Sequence, residues 1–205
     1  ELTSQLRIIR NNKLVAMPVA GVPASIFGGQ GGLMDIVLHP DYASNKLIYL
    51  SLSVGTPEAK TLRVIRARFT GDAIEDIQTV FEAAPKRDTY VHYGARLAFL
   101  ADKTLLITNG DGFDYREEAQ SLGNHYGAIV RVTDNGKVPA DNPFVKDDAP
   151  LPEIWSYGHR NPQGILVDPQ TGTVFETEHG PRGGDELNII EPGQNYGWPI
   201  ATYGL

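Results

Sequence analysis

Carboxylates, amides, glycines and turn carbonyls crowd one stretch, Glu178-His179-Gly180-Pro181-Arg182-Gly183-Gly184-Asp185-Glu186-Leu187-Asn188, which continues through Pro192-Gly193-Gln194-Asn195-Tyr196-Gly197-Trp198-Pro199. It is too punctuated by Gly and Pro for a helix. Its oxygen donors suit a hard cation, which takes about six to eight oxygens at about 2.3–2.6 Å. Three further segments carry the other reactive types: Gly28-Gly29-Gln30-Gly31-Gly32, Val91-His92-Tyr93-Gly94-Ala95-Arg96 and Tyr157-Gly158-His159-Arg160-Asn161-Pro162-Gln163-Gly164. An imidazole, whose ordinary pKa lies near 6.5, exchanges protons close to neutral pH. A guanidinium supplies a charge that ordinary pH does not remove. His39, His125, His159 and His179 lack the i, i+4 spacing of a zinc site and are expected to be structural. Asn109-Gly110-Asp111-Gly112-Phe113-Asp114 lacks the closing Glu of a calcium loop and reads as a turn at a strand end.

Composition narrows the classes. With 205 residues, 41% of them hydrophobic, the chain can bury one sizeable core and shows no apolar run of membrane length. Eighteen basic against 25 acidic side chains leave a net charge of −7, with the basic residues scattered, which argues against nucleic acid as a partner. There is no cysteine, so disulfides, thiolate metal sites and cysteine nucleophiles are excluded. The chain opens at Glu1 without a leader, and Leu6–Arg10 reads as a strand lacking an earlier partner, so a fragment of a longer, processed protein is expected.

The elements that must hold these residues are strands. Leu33–Leu38, the turn His39-Pro40-Asp41-Tyr42 and Leu47–Leu52 form a strand, turn, strand unit. It recurs at Arg96–Thr108 and at Gly164–Thr177, with Leu33, Leu97 and Ile165 separated by 64 and 68 residues. Further strand candidates, Thr61–Phe69 and Gly127–Val132, bring each unit to four strands, while Arg116–Leu122 is the one helix candidate. Recurrence of four short strands predicts an all-β propeller. Its rim loops then bring Gln30, His92, Arg160 and Asn161 to one mouth. Trp155, Tyr157 and Trp198 are aromatics that either line that mouth or fill blade contacts.

In order along the chain, Gly29-Gln30-Gly31-Gly32-Leu33 with His39-Pro40-Asp41-Tyr42, then His92-Tyr93-Gly94-Ala95-Arg96-Leu97, Gly158-His159-Arg160-Asn161-Pro162-Gln163-Gly164 and Glu178 to Asn188 resemble the soluble pyrroloquinoline-quinone (PQQ) dependent sugar dehydrogenases, in particular the bacterial aldose sugar dehydrogenase branch. The motifs run from Gly28 to Trp198. The resemblance implies a six-bladed β-propeller, of which residues 1–205 would supply about half, roughly three blades of one partial domain. It also implies oxidation of the anomeric hydroxyl of an aldose to the lactone. His92 matches the catalytic base. Arg160 matches the arginine facing the quinone oxygen, catalytic and cofactor-binding at once. Gln30 and Asn161 match cofactor-binding residues, and the carbonyls of Gly180 and Pro181 match those that hold the calcium bridging protein and PQQ. Asp185, Glu186 and Tyr196 match a region that contributes to a second calcium.

Two departures stand out. The family's better-known sugar dehydrogenase has an acid just before the base, and here Val91 holds that position, so His92 must be oriented by something else or by backbone. The basic residues that bind PQQ carboxylates in the family fall in later blades. The resemblance further implies an unidentified electron acceptor, a monomer or homodimer, and a bacterial periplasmic or secreted location. The alternative is a calcium-dependent propeller lactonase or a non-catalytic propeller binding module.

Overall fold

Side-chain alternation decides how this chain folds. The structure, a computed structural model, describes residues 1–148 and 150–204. A hairpin of β1 (Ile9–Arg10) and β2 (Lys13–Leu14) comes first, turning through Asn11 and Asn12, both at positive φ as a two-residue turn of this hand requires. The strand expected over Leu6–Arg10 pairs only at its last two residues. Leu6 and Ile8 instead accept backbone hydrogen bonds from Val19 and Val15 while packing inward.

Three larger sheets follow. The first joins β3 (Leu33–Leu38), β4 (Leu47–Thr56), β5 (Ala59–Phe69) and β6 (Ile74–Glu82), with a single helical turn, α1 (Tyr42–Asn45), between β3 and β4. The second joins β7 (Gly94–Phe99), β8 (Leu105–Asn109), β9 (Ala128–Val132) and β10 (Ile154–Tyr157); the third joins β11 (Pro162–Val167), β12 (Val174–Glu178) and β13 (Glu186–Ile190). Each is an antiparallel meander in chain order. The sheets are blades of a partial β-propeller, two with four strands and one with three.

Period two explains why the blades stack. On β4, Tyr49 points into the core shared with the second sheet, whereas Ile48, Leu50 and Leu52 point to the opposite face beneath Val19 and Leu6. On β8, Leu105 and Ile107 join the first of these cores and Leu106 joins Val174 and Ile190 of the third sheet. Strands buried on both faces are mostly apolar runs, and in β8, buried at all five residues, Leu105, Leu106 and Ile107 are apolar while Thr108 and Asn109 are hydrogen-bonded. The third sheet differs, leaving Leu166, Leu187 and Ile189 at 62%, 70% and 57% exposure.

Polar bonds tie the innermost strands together. Arg96 of β7 donates to the Met34 carbonyl at 3.2 Å and to Gln163 at 3.0 Å, and Leu97 N donates to Asp35 at 3.0 Å. One guanidinium thus spans all three blades at the axis. The expected helix over Arg116–Leu122 is a 3-10 turn, Arg116–Gln120, ended where Ser121 becomes extended. No helix among the described residues is long and apolar enough to cross a membrane.

Candidate active site at the propeller rim

His92 sits in the connection from β6 to β7 with φ at +53°, a left-handed value that a non-glycine residue holds only when its surroundings impose it. Its N–H donates to Gln30 Oε1 at 2.7 Å, and its carbonyl accepts from Arg87 Nη1 at 3.2 Å. Its ring Nδ1 lies 2.7 Å from Asp111 Oδ1, with both residues buried. Asp111 is itself surrounded by donors: Oδ1 also accepts from Phe113 N at 2.7 Å, and Oδ2 accepts from Trp198 Nε1 at 2.8 Å. In each of these bonds the carboxylate accepts from an N–H. The imidazole proton therefore belongs on Nδ1, and Nε2 keeps the lone pair that can take a proton.

Asp111 is the residue that sequence reasoning missed. Its loop does begin at the end of a strand, as expected, and the turn can wrap inward because Gly110 has no Cβ to collide with the His92 carbonyl. The carboxylate that Val91 does not supply thus comes from 19 residues downstream. An acid between two glycines at the end of an inner hairpin was the available signal.

Arg160 and Asn161 link β10 to β11. Glu178, the last residue of β12, accepts both of their backbone N–H groups through Oε2 and so fixes the turn from across the sheet. The Arg160 guanidinium lies 5.2 Å over the Trp198 ring, and its Nη1 donates to the carbonyls of His179 at 2.9 Å and Gly180 at 3.0 Å. Its buried Nε has no partner among the described residues. Asn161 Oδ1 accepts from Gly94 N and Gln163 Nε2, which leaves the amide donors for another group.

The loop from Gly180 to Asp185 is open by comparison. Asp185 Oδ1 accepts from Gly180 N at 3.0 Å, and Gly180 must lack a side chain because a Cβ would overlap the Gly184 carbonyl. Tyr196 does not aim its hydroxyl at Asp185 or Glu186: the phenol donates to the Ile189 carbonyl at 2.7 Å and accepts from Glu191 N. Its ring stacks on His159 with centroids 4.6 Å apart.

The side chains that do cluster beneath this loop are Glu176, Glu178 and His159, all buried, joined to Glu186 through Asn188 Nδ2. Burial first, and then the adjacent Glu178, push the Glu176 carboxyl far above the usual carboxylate range, so it carries a proton at neutral pH. The remaining histidines hold backbone or neighbours: His39 accepts from Asp41 N, His125 accepts from Ala84 N and reaches Glu153, and His159 bonds Ser156. Trp155 lies under Arg131 in the core, whereas Trp198 reaches the site.

Two depressions result. The larger, about 540 Å3, is lined by Asp111, Phe113, Arg160, Pro181 and Trp198 among others. The smaller, about 320 Å3, is lined by Gln30, Tyr93, Asn161 and His179 among others. His92 connects them, bonded to Gln30 of one and Asp111 of the other. The segments that sequence placed at a common rim do converge, and they bring a histidine–carboxylate pair, a guanidinium and two amides to one face.

The family model described as glucose/sorbosone dehydrogenase matches residues 1–205. The chain belongs to the glucose/sorbosone dehydrogenase family. It is 44% identical over 204 residues to aldose sugar dehydrogenase YliI of Escherichia coli (strain K12), covering 98% of this chain and 55% of that protein. Among solved structures, the soluble aldose sugar dehydrogenase from Escherichia coli in the apo-form superposes with a TM-score of 0.95 at 43% identity, covering all of this chain and 59% of that one. The PQQ-bound form of aldose sugar dehydrogenase from Streptomyces coelicolor superposes at 0.84 with 32% identity, covering 97% and 57%. The chain spans about half the length of the curated relatives it matches.

Proposed function

We propose that the protein containing this chain is a PQQ- and calcium-dependent oxidoreductase that converts an aldose to its lactone. The observation that carries the reading is the His92–Asp111 pair: it leaves Nε2 able to take the proton of the anomeric hydroxyl, and Asp111 offsets the charge the ring gains. Bound PQQ would supply the acceptor for the hydride. The donor set fits that group, because an unpartnered guanidinium Nε and a free amide suit an oxygen-rich anion. Arg160 would face the quinone oxygen and oppose negative charge there, while Gln30 and Asn161 border the cofactor and sugar.

Calcium would take the carbonyls of Gly180 and Pro181. The Gly180 carbonyl already accepts a hydrogen bond from Arg160, so it has one lone pair left for an ion. For a second calcium, Asp185 and Glu186 would offer carboxylates, and Tyr196 its main-chain carbonyl because its hydroxyl is engaged. Residues 1–205 form part of one propeller domain in this reading. The protein would be periplasmic or secreted and would pass electrons to an acceptor whose identity is open, as monomer or homodimer.

The test uses the protein at the length of its relatives, reconstituted with PQQ and calcium, and follows dye reduction with a panel of aldoses. Sugar-dependent reduction is expected. No reduction together with an unchanged PQQ spectrum would replace this reading with a calcium-dependent lactonase or a binding module.

A further inference from the structure

Arg87 lies beneath the candidate base, and nothing in the proposed chemistry uses it. It is 3% exposed, yet its Nε and Nη2 have no partner among the described residues. The guanidinium stacks 4.2 Å over the Tyr93 ring and directs Nη1 at two main-chain oxygens, His92 O at 3.2 Å and Gly110 O at 3.3 Å. Those two carbonyls belong to the base and to the residue just before Asp111. Room for this contact is built in, because a Cβ at Gly112 would come within 2.9 Å of Arg87 Nη1.

The segment it holds is under strain. His92 and Ala95 hold positive φ, at 53° and 73°, without being glycine, and the β7–β8 register shifts between Gly94 and Leu97. Such a backbone persists only where its surroundings over-determine it. Arg87 itself is anchored, exchanging both backbone hydrogen bonds with Lys60, whose ammonium donates to the Asp88 carbonyl and lies 3.9 Å over the Tyr90 ring. Burial pushes the Arg87 guanidinium pKa below its ordinary value, and Nη1 of the planar fork reaches two carbonyls at once.

We infer that Arg87 is a positioning residue: by joining the His92 and Gly110 carbonyls it sets the distance between imidazole and carboxylate and so keeps the Nδ1–H on Asp111. The inference rests on the proposed role of His92, but the structural part is testable without sugar, cofactor or turnover.

The experiment labels histidine nitrogens in the cofactor-free protein and measures exchange of the His92 Nδ1–H with solvent in the wild type, Arg87→Met and Arg87→Lys. The His125 ring N–H bonded to Glu153 serves as internal control. Arg87→Met should speed His92 exchange about ten-fold, the loss of one hydrogen bond of ordinary net strength, and leave His125 unchanged. Arg87→Lys, which keeps the charge without the fork, should fall between. In cofactor-loaded protein, kcat should drop about ten-fold or more with the sugar KM little changed, as for a misplaced group. His92 exchange within two-fold of wild type in folded Arg87→Met, or equal acceleration of His125, overturns the inference; if that variant does not fold, wild-type exchange and kcat in Arg87→Lys overturn it. Inactive wild-type protein would sink the proposed function while the exchange data still decide the role of Arg87.

Discussion

Two of the histidine–aspartate pairs, one at each wall of the candidate site, use the same side chains to different ends. His92 and Asp111 meet at 2.7 Å with side chains 8% and 1% exposed, and the carboxylate accepts two more N–H groups. His179 and Asp185 stand 3.9 Å apart with side chains 62% and 70% exposed. Only the first can hold one tautomer, because water competes for every donor and acceptor of the second. The buried wall is suited to moving a proton. The open wall, made of glycines, carbonyls and an exposed acid, is suited to being completed by an ion or cofactor.

Exchanging the two histidines breaks the comparison most sharply. His92→Ala should lower kcat/KM by roughly 10²–10⁴-fold, the usual contribution of a general base, while PQQ still binds by its absorbance. His179→Ala should stay within a few-fold; an equal loss would erase the distinction between the walls.

Asp111→Asn comes next. An amide can donate to Nδ1 and move the ring proton to Nε2, so kcat should fall about 10²-fold or more with KM little changed. Steady-state kinetics beside Asp185→Asn should show a different defect in the latter, a higher calcium requirement at full kcat once the ion is saturating.

Arg160→Lys sharpens the open wall. A point ammonium cannot reproduce the guanidinium fork that now holds the His179 and Gly180 carbonyls, so PQQ affinity should weaken about ten-fold in an equilibrium titration. Unchanged affinity would remove Arg160 from the cofactor's binding set.

The smallest effect concerns the support under that wall. The folded pKa of Glu176 is raised to about 9, so the folded state binds a proton that the unfolded chain releases near the ordinary carboxylate value. This stabilising contribution is complete at low pH and is lost as pH rises toward 9. Glu176→Gln should therefore raise Tm by a few degrees at pH 8–9 relative to wild type, with little difference near pH 4. Parallel pH profiles of Tm for the two proteins would show the buried pair does not titrate this way.

Much of the fold was legible because strand alternation is a local property. The recurrence of Leu33, Leu97 and Ile165 marked the three innermost strands, and β3, β7 and β11 run through them. The helix at Arg116–Leu122 shrank to a 3-10 turn, and the strand at Leu6–Arg10 to two paired residues, because tertiary contacts set element ends. At the site, Gln30, His92, Arg160 and Asn161 were legible through their glycine-rich settings. Asp111, Arg87, Glu176 and Glu178 were not: Asp111 meets His92 across 19 residues and Glu178 meets Arg160 across 18, while Arg87 and Glu176 owe their settings to burial that local sequence does not show.

The sequence by itself determined the residue types at the rim, the all-β architecture and the glycines that let chain segments approach, because those follow from composition and short-range periodicity. Only the tertiary structure decided which acid orients His92, which tautomer results and which carboxyl is forced to keep its proton. Those outcomes depend on burial and on hydrogen bonds across sheets, and neither quantity exists until the blades have packed.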